Sequence, residues 1–267
     1  MITVDSLISH GYLHRESIEA TEGVKSFARA TTDQLLAGEK RPSEVQVTRL
    51  LSCTDGRLET VIIRYLLNIA GVKCVSEGLR LITGSQFNAE TGGADHRSID
   101  LVVRRRTSDD ETVPVLAAEA KYGAWVNGGF GYCPRDPHGY SNQAICYLHG
   151  CISDAHSVNE MAFIWLGHKA MQKGHFPWGR RGLTEKDAAE ESFAGGYAEQ
   201  VKASQIWKAA TWEGLAAAVR KGMDEEAREA GEAIARFLLR VPETDPTVAV
   251  AEAIDPEVPR VGPDKAK

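Results

Sequence analysis

Apolar residues first fall into a regular pattern after Asp55. Leu58, Ile62, Tyr65, Leu66 and Ile69 recur at helical spacing and predict one buried face, with Asp55 as N-cap and Gly71 as C-cap. Before that point the pattern is weak. ESIEATEGVKSFARATTDQLLAGEK is helical in character but poorly amphipathic, Gly38 and Pro42 mark a break, and VQVTRLLSC fits a short strand or the start of another helix. Beyond Gly71 the period changes. VKCVSEGLRLIT predicts a strand bent at Glu77-Gly78, GSQFNAETGGADHR a polar loop, and SIDLVVRRRTSDDETVPVLAAEAK two apolar strands around a polar turn. YGAWVNGGFGYCPRDPHGY is a Gly- and Pro-rich excursion, SNQAICYLHGCI a helix, and NEMAFIWLG a buried strand. TEKDAAEESF, TWEGLAAAVRKGMD and EEAREAGEAIARFLLR read as helices, and the Pro-rich, acidic residues 241–267 as a disordered tail. The expected division is a helical segment over 1–54, a core over 55–170, a basic loop with packed helices over 171–240, and the tail. Helix, three strands, loop, helix and strand in this order predict an α/β fold around one mixed sheet.

The two central strands are apolar on both faces, the pattern of strands covered by helices on both sides. Asp100, Glu119 and Lys121 interrupt them. Folding the segment about Asp109-Asp110 sets Asp100 opposite Glu119, and side-chain alternation puts Glu119 and Lys121 on one face with Ala120 on the other. Opposed residues on paired strands have Cβ atoms roughly 5 Å apart. Lys121 neutralises one carboxylate and leaves the other, so a divalent cation between them is the simplest arrangement that makes the pair favourable. Glu59, beside the apolar face of the preceding helix, is either a solvated first-turn carboxylate favoured by the helix dipole or a further carboxylate turned toward that cation. Asp95 and His96 read as turn chemistry in the polar loop.

Charge changes this picture little. The formal net charge is −6, but residues 222–267 carry 11 acidic against 6 basic side chains, so the first 221 residues are close to neutral. Contact with phosphates depends on local basic patches rather than on the total. Arg104-Arg105-Arg106 is either a solvated turn or such a patch, and Lys169, Lys173, Arg180 and Arg181, interleaved with His, Phe and Trp, suit phosphate pairing and base stacking or form a plain cationic loop. Five irregularly spaced cysteines predict reduced thiols and a cytoplasmic protein. No apolar run of transmembrane length and no secretory start are present in the sequence, so no membrane association is expected.

Asp100 followed after 18 residues by Glu119-x-Lys121, behind a helix bearing Glu59, resembles the PD-(D/E)xK nuclease superfamily over about residues 55–170. Ile99 stands where members often have Pro, and Gln143 with Tyr147 resembles the Q-x-x-x-Y element of recombination-type members. The resemblance implies a restriction-endonuclease-like three-layer core, with a central mixed β-sheet flanked by helices and extra helices at both ends. It implies Mg²⁺, or Mn²⁺ in its place, held by Asp100, Glu119 and the backbone carbonyl of Ala120, with Glu59 completing the site or helping a second ion. Lys121 would orient and help deprotonate the attacking water or steady the developing charge, and Gln143 would touch the scissile phosphate or position Lys121. Tyr147 is expected in the core. The implied activity is a metal-dependent DNA endonuclease of restriction or defence type, with DNA favoured over RNA. A homodimer, or a partner protein in a defence or recombination system, stays open.

Two rivals stand beside this reading. Cys133, His138, Cys146, His149, Cys151 and His156 lie close together in sequence, but the paired C-x-x-C spacing of structural zinc modules is missing. The other rival is a nuclease-like fold that binds nucleic acid or a protein without cutting, in which an intact Asp, Glu and Lys set has no purpose. No nucleophile elbow, Walker loop or dinucleotide fingerprint is present.

Overall fold

Four short helices open the chain in the computed structural model: α1 (Val4–Ser9), α2 (Arg15–Glu22), α3 (Arg29–Ala37) and α4 (Glu44–Ser52). The structure describes residues 2–22, 29–40, 42–73, 78–84, 99–106, 112–121, 131–132, 140–141, 161–167, 207–225 and 227–244. VQVTRLLSC, ambiguous in sequence, is helical. Ser43 and Gln46 form a capping box in which the Ser43 N–H donates to Gln46 Oε1 at 2.8 Å and the Gln46 N–H to Ser43 Oγ at 3.3 Å. α5 (Gly56–Ala70) follows with both expected caps. Asp55 accepts from the Gly56 N–H at 2.8 Å, and Gly71 closes the helix at φ 72°, a left-handed conformation that glycine adopts without strain. Leu58, Ile62 and Leu66 are buried as the spacing requires and Tyr65 partly so, whereas Ile69 is exposed.

A five-stranded sheet forms the centre: β1 (Leu79–Thr83), β2 (Leu101–Arg106), β3 (Thr112–Ala120), β6 (Ala162–Gly167) and β7 (Trp207–Thr211), in spatial order β1-β2-β3-β6-β7. The first three strands are antiparallel neighbours, and β3, β6 and β7 run parallel. A separate two-stranded pair, β4 (Gly131–Tyr132) with β5 (Tyr140–Ser141), lies in the Gly- and Pro-rich excursion. The β2–β3 register starts with Arg106 opposite Thr112, shifts between Val103 and Arg104, and continues with Leu101 opposite Ala118. Pro114, which cannot donate to a ladder, sits at this irregularity and outside the β3–β6 pairing, which begins at Leu116. One further step of the shifted register sets Asp100 opposite Glu119.

The chain then forms α6 (Trp212–Gly222), capped by Thr211, and α7 (Arg228–Thr244). β7 was not expected: WKAAT has little of the β-branched, alternating character that marks a strand. Gly222 and Gly231 let these helices close up, since a Cβ on Gly222 would lie 2.4 Å from Val61 of α5 and one on Gly231 2.9 Å from Met223. Arg220 of α6 forms a two-pronged ion pair with Glu232 of α7, Nε–Oε2 2.8 Å and Nη2–Oε1 3.0 Å. Arg57 of α5 donates to the Gly222 carbonyl at 2.9 Å and pairs with Asp224, and Arg240 of α7 donates to the Gly38 carbonyl beyond α3.

One core joins Leu58, Ile62 and Leu66 of α5 with Leu81, Leu101, Val103, Ala118, Ala120, Ile164 and Leu166 of the sheet and Trp212 and Leu215 of α6. These strand positions share one face. By alternation Glu119, Lys121 and Trp165 occupy the opposite face, where Val102, Ala117 and Phe163 are also buried. The sheet is therefore covered on both sides, as the unbroken apolar strands require. Among the described residues no helix is long and apolar enough to cross a membrane. The helix expected at 184–193 lies outside the described residues, as does the one expected at 141–152 apart from Ser141, which is extended in β5; of the tail expected at 241–267, residues 241–244 continue α7 as helix and the rest lies outside the described residues.

Candidate active site

Asp100, Glu119 and Lys121 meet at one end of the sheet, where β2 begins and β3 ends. The Ala120 N–H donates to Asp100 Oδ2 at 2.8 Å, and the Gly84 N–H, past the end of β1, donates to the Asp100 carbonyl at 3.3 Å. Gly84 is required by contact rather than by conformation: a Cβ there would stand 1.8 Å from the Ile99 carbonyl oxygen. Lys121 is fixed from several sides. Its N–H donates to the Leu166 carbonyl of β6 at 2.8 Å, its ammonium to Glu119 Oε1 at 2.7 Å, and its carbonyl accepts from Trp212 Nε1 at 3.3 Å. The ammonium also lies 5.3 Å from the centre of the Trp165 ring.

The peptide between Ala120 and Lys121 has a defined direction. Its N–H points at β6, and a planar trans peptide sends the C=O the opposite way, toward β2 and Asp100. The Ala120 carbonyl thus faces the side on which Asp100 stands.

Glu119 and Lys121 are buried, at 2% and 7% exposure, and Asp100 is half-buried. The Glu119 carboxyl is pushed up to about 8, by burial first and by the negative charge of Asp100 second, against the pull of Lys121. Burial also raises Asp100, opposed by the Ala120 N–H and the Lys121 charge. The two acids act on each other, the charge of Asp100 helping to raise Glu119. Two acids and one ammonium leave an excess negative charge in a buried place. A buried ion costs several kcal/mol to desolvate, more than the roughly 1–3 kcal/mol of a charged hydrogen bond, so the group keeps a proton at neutral pH or takes up a cation.

Glu59 stands elsewhere. It is neither solvated nor joined to this trio: its Oε1 accepts from the Leu81 N–H at 2.8 Å and from Arg80 Nε at 3.0 Å. Burial raises its carboxyl, and the neighbouring charges that act on it are Arg80 and Asp55. The reason is the layering. α5 packs on the sheet face opposite to that of Glu119 and Lys121, so a carboxylate on its first turn meets the edge strand β1 instead. Arg104 is half-buried at the far end of β2, about 13 Å along the strand from Asp100 at roughly 3.3 Å per residue. Arg105 and Arg106 are exposed. Gln143, Tyr147, Lys169, Lys173, Arg180, Arg181, Asp95, His96 and the six residues of the zinc alternative lie outside the described residues. Among the described residues no three His, Cys, Asp or Glu side chains form a metal-holding cluster.

Sequence reasoning did not find Gly84, Trp165 or Trp212. A glycine directly after an apolar strand and before the Asp100 loop is a readable mark of close backbone approach. The two indoles reach Lys121 from strands and helices far away in the chain, and no local pattern announces them. No family model, no curated protein and no solved structure matches the chain. The geometry of the site therefore carries the functional reading.

Proposed function

We propose that the protein is a divalent-metal-dependent nuclease that hydrolyses phosphodiester bonds, a DNA endonuclease of restriction or defence type on a restriction-endonuclease-like core. The observation that carries this reading is the convergence of Asp100, Glu119 and Lys121 at one sheet end, with the Ala120 carbonyl directed to the side of β2, where Asp100 stands. The order of elements supports it: a helix, three antiparallel strands, then a strand parallel to the third.

The donors fit a hard cation. Mg²⁺, or Mn²⁺ in its place, takes oxygen ligands, is held by one or two carboxylates and keeps several waters, which matches two adjacent acids and a carbonyl rather than a closed cage. When bound, it supplies Lewis-acid polarisation of the phosphoryl oxygen and a more acidic water. The chain supplies the rest. Asp100 is held in place by the Ala120 N–H, and the peptide that carries the Ala120 carbonyl is oriented by the bond from the Lys121 N–H to the Leu166 carbonyl. Glu119 would hold the cation as a carboxylate, its proton given up to solvent. Lys121 directs the attacking water and steadies the negative charge that gathers on the phosphoryl oxygens. The water oxygen joins phosphorus, one P–O bond to sugar breaks, and the proton lost by the water ends on the departing oxygen.

The test is incubation of the full chain with supercoiled plasmid, linear duplex and RNA, in Mg²⁺ or EDTA. Cleavage of DNA in Mg²⁺ alone is the expected result. Unchanged nucleic acid across the panel would overturn the catalytic reading and favour a module that binds without cutting.

A further inference from the structure

Lysine is a flexible point charge, and Lys121 stands just past the end of β3. At that position the hairpin with β2 offers it no ladder partner, since the paired register ends at Leu101 and Ala118. Beyond its ion pair with Glu119, what fixes it comes from β6 and from the junction of β7 with α6. In the parallel β3–β6 register Glu119 lies directly beside Trp165. Lys121, two residues on and on the same face, has its ammonium 2.7 Å from Glu119 Oε1 and 5.3 Å from the Trp165 ring centre. An aromatic face attracts an ammonium ion most strongly where water is excluded, and both residues are buried here. Trp212, the first residue of α6, donates its indole N–H to the Lys121 carbonyl at 3.3 Å. That junction is itself held. Tyr65 of α5 both donates to the Thr211 carbonyl and accepts from the Thr211 N–H, each at 3.1 Å, and Gly214 leaves room for the Tyr65 hydroxyl, which would be 2.4 Å from a Cβ.

From this bracket of two indoles we infer that Trp165 and Trp212 are positioning residues for Lys121, one seating the ammonium beside Glu119 and the other the backbone from which it extends. The inference rests on the nuclease reading and extends it. The working position of Lys121 is set by residues 161–167 and 207–222, beyond the hairpin that carries the acids. Neither ring touches the reacting atoms, so each acts through Lys121.

The experiment measures kcat and KM for Mg²⁺-dependent cleavage of one DNA duplex by the full chain, alongside its thermal unfolding. Parent, Trp165→Phe, Trp165→Leu and Trp212→Phe are compared. Misplacing a catalytic group by about 1 Å can cost up to about 100-fold, so Trp165→Leu and Trp212→Phe are expected to lower kcat about 10-fold or more, with KM within about 2-fold. Trp165→Phe keeps a ring face under the ammonium and is expected to recover most of the rate. Trp212→Phe keeps most of the buried volume and loses the N–H, so it decides the matter if Trp165→Leu does not fold. Parent-like kcat in a folded Trp212→Phe or Trp165→Leu overturns the inference and leaves the nuclease reading standing. So does a Trp165→Phe that falls as far as Trp165→Leu. A parent with no Mg²⁺-dependent cleavage overturns the nuclease reading itself, and the parent sample alone shows it.

Discussion

Glu119 is the residue on which burial and charge pull hardest, and the balance gives it a measurable pH signature. Its carboxyl titrates ordinarily near 4.5 and in the folded chain near 8, so the folded state binds the proton more tightly. Its contribution to stability is full below about pH 4.5 and is lost as pH rises toward 8. Asp100 and Glu59 are raised as well and act in the same direction, starting near 3.8 and 4.5. The melting temperature of metal-free protein in EDTA is therefore expected to fall between pH 5 and about 8, and Glu119→Gln to flatten much of that fall. A parent as stable at pH 8 as at pH 5 would contradict this electrostatic account. Saturating Mg²⁺ at pH 8 is expected to restore stability, by about 2.7 kcal/mol at 100 times the dissociation constant. Gly84 gives a second residue-scale prediction. A methyl group 1.8 Å from the Ile99 carbonyl must displace the segment that enters Asp100, so Gly84→Ala is expected to cost the overpacking penalty of about 1–3 kcal/mol and to weaken Mg²⁺ binding in calorimetry.

Elements carry the next distinction, because the helix bearing Glu59 packs on one face of the sheet and the acids of β2 and β3 stand on the other. Glu59 satisfies a backbone N–H of the edge strand β1 together with Arg80. Removing it strands the Leu81 N–H, so Glu59→Ala is expected to lower unfolding stability by about 1–3 kcal/mol while the Mg²⁺ dissociation constant stays within about 2-fold. A large loss of Mg²⁺ affinity in the folded variant would instead return Glu59 to the metal site. Much at this scale was legible in the sequence. α5 was readable from cap to cap because its signals are local: Asp55, the 3.6-residue apolar spacing and Gly71. The pairing of Asp100 with Glu119 came out of a symmetric fold about Asp109-Asp110, although the register next to the turn is offset by one, Arg106 opposite Thr112 rather than Val113. The irregularity at Pro114 and Val103/Arg104 restores the register before the site. β7 stayed hidden because its only strong reason to be extended is the parallel partner β6, some 40 residues earlier. The role of Glu59 stayed hidden for the related reason that layer order is not written in a helix's own residues.

At the scale of the whole molecule, β3 is the organising strand. It pairs with β2 on one side and β6 on the other, is buried on both faces, and ends in Glu119 and Lys121, beside Asp100 at the start of β2. Three parallel strands finish at that same end, the position at which open α/β sheets commonly place their ligands. Both covered faces exclude water from Glu119 and Lys121, which strengthens the interaction of their charges and raises the Glu119 carboxyl. The central claim is that this sheet end is a metal-dependent phosphodiesterase site. The most direct measurement is the rate at which folded parent, Asp100→Ala and Lys121→Ala nick supercoiled plasmid in Mg²⁺. Loss of one charge-stabilising group typically costs about 100- to 1,000-fold, so both variants are expected to fall at least that far below the parent, and the parent to fall silent in EDTA. Equal rates in parent and folded variants, or a parent rate untouched by EDTA, would contradict it.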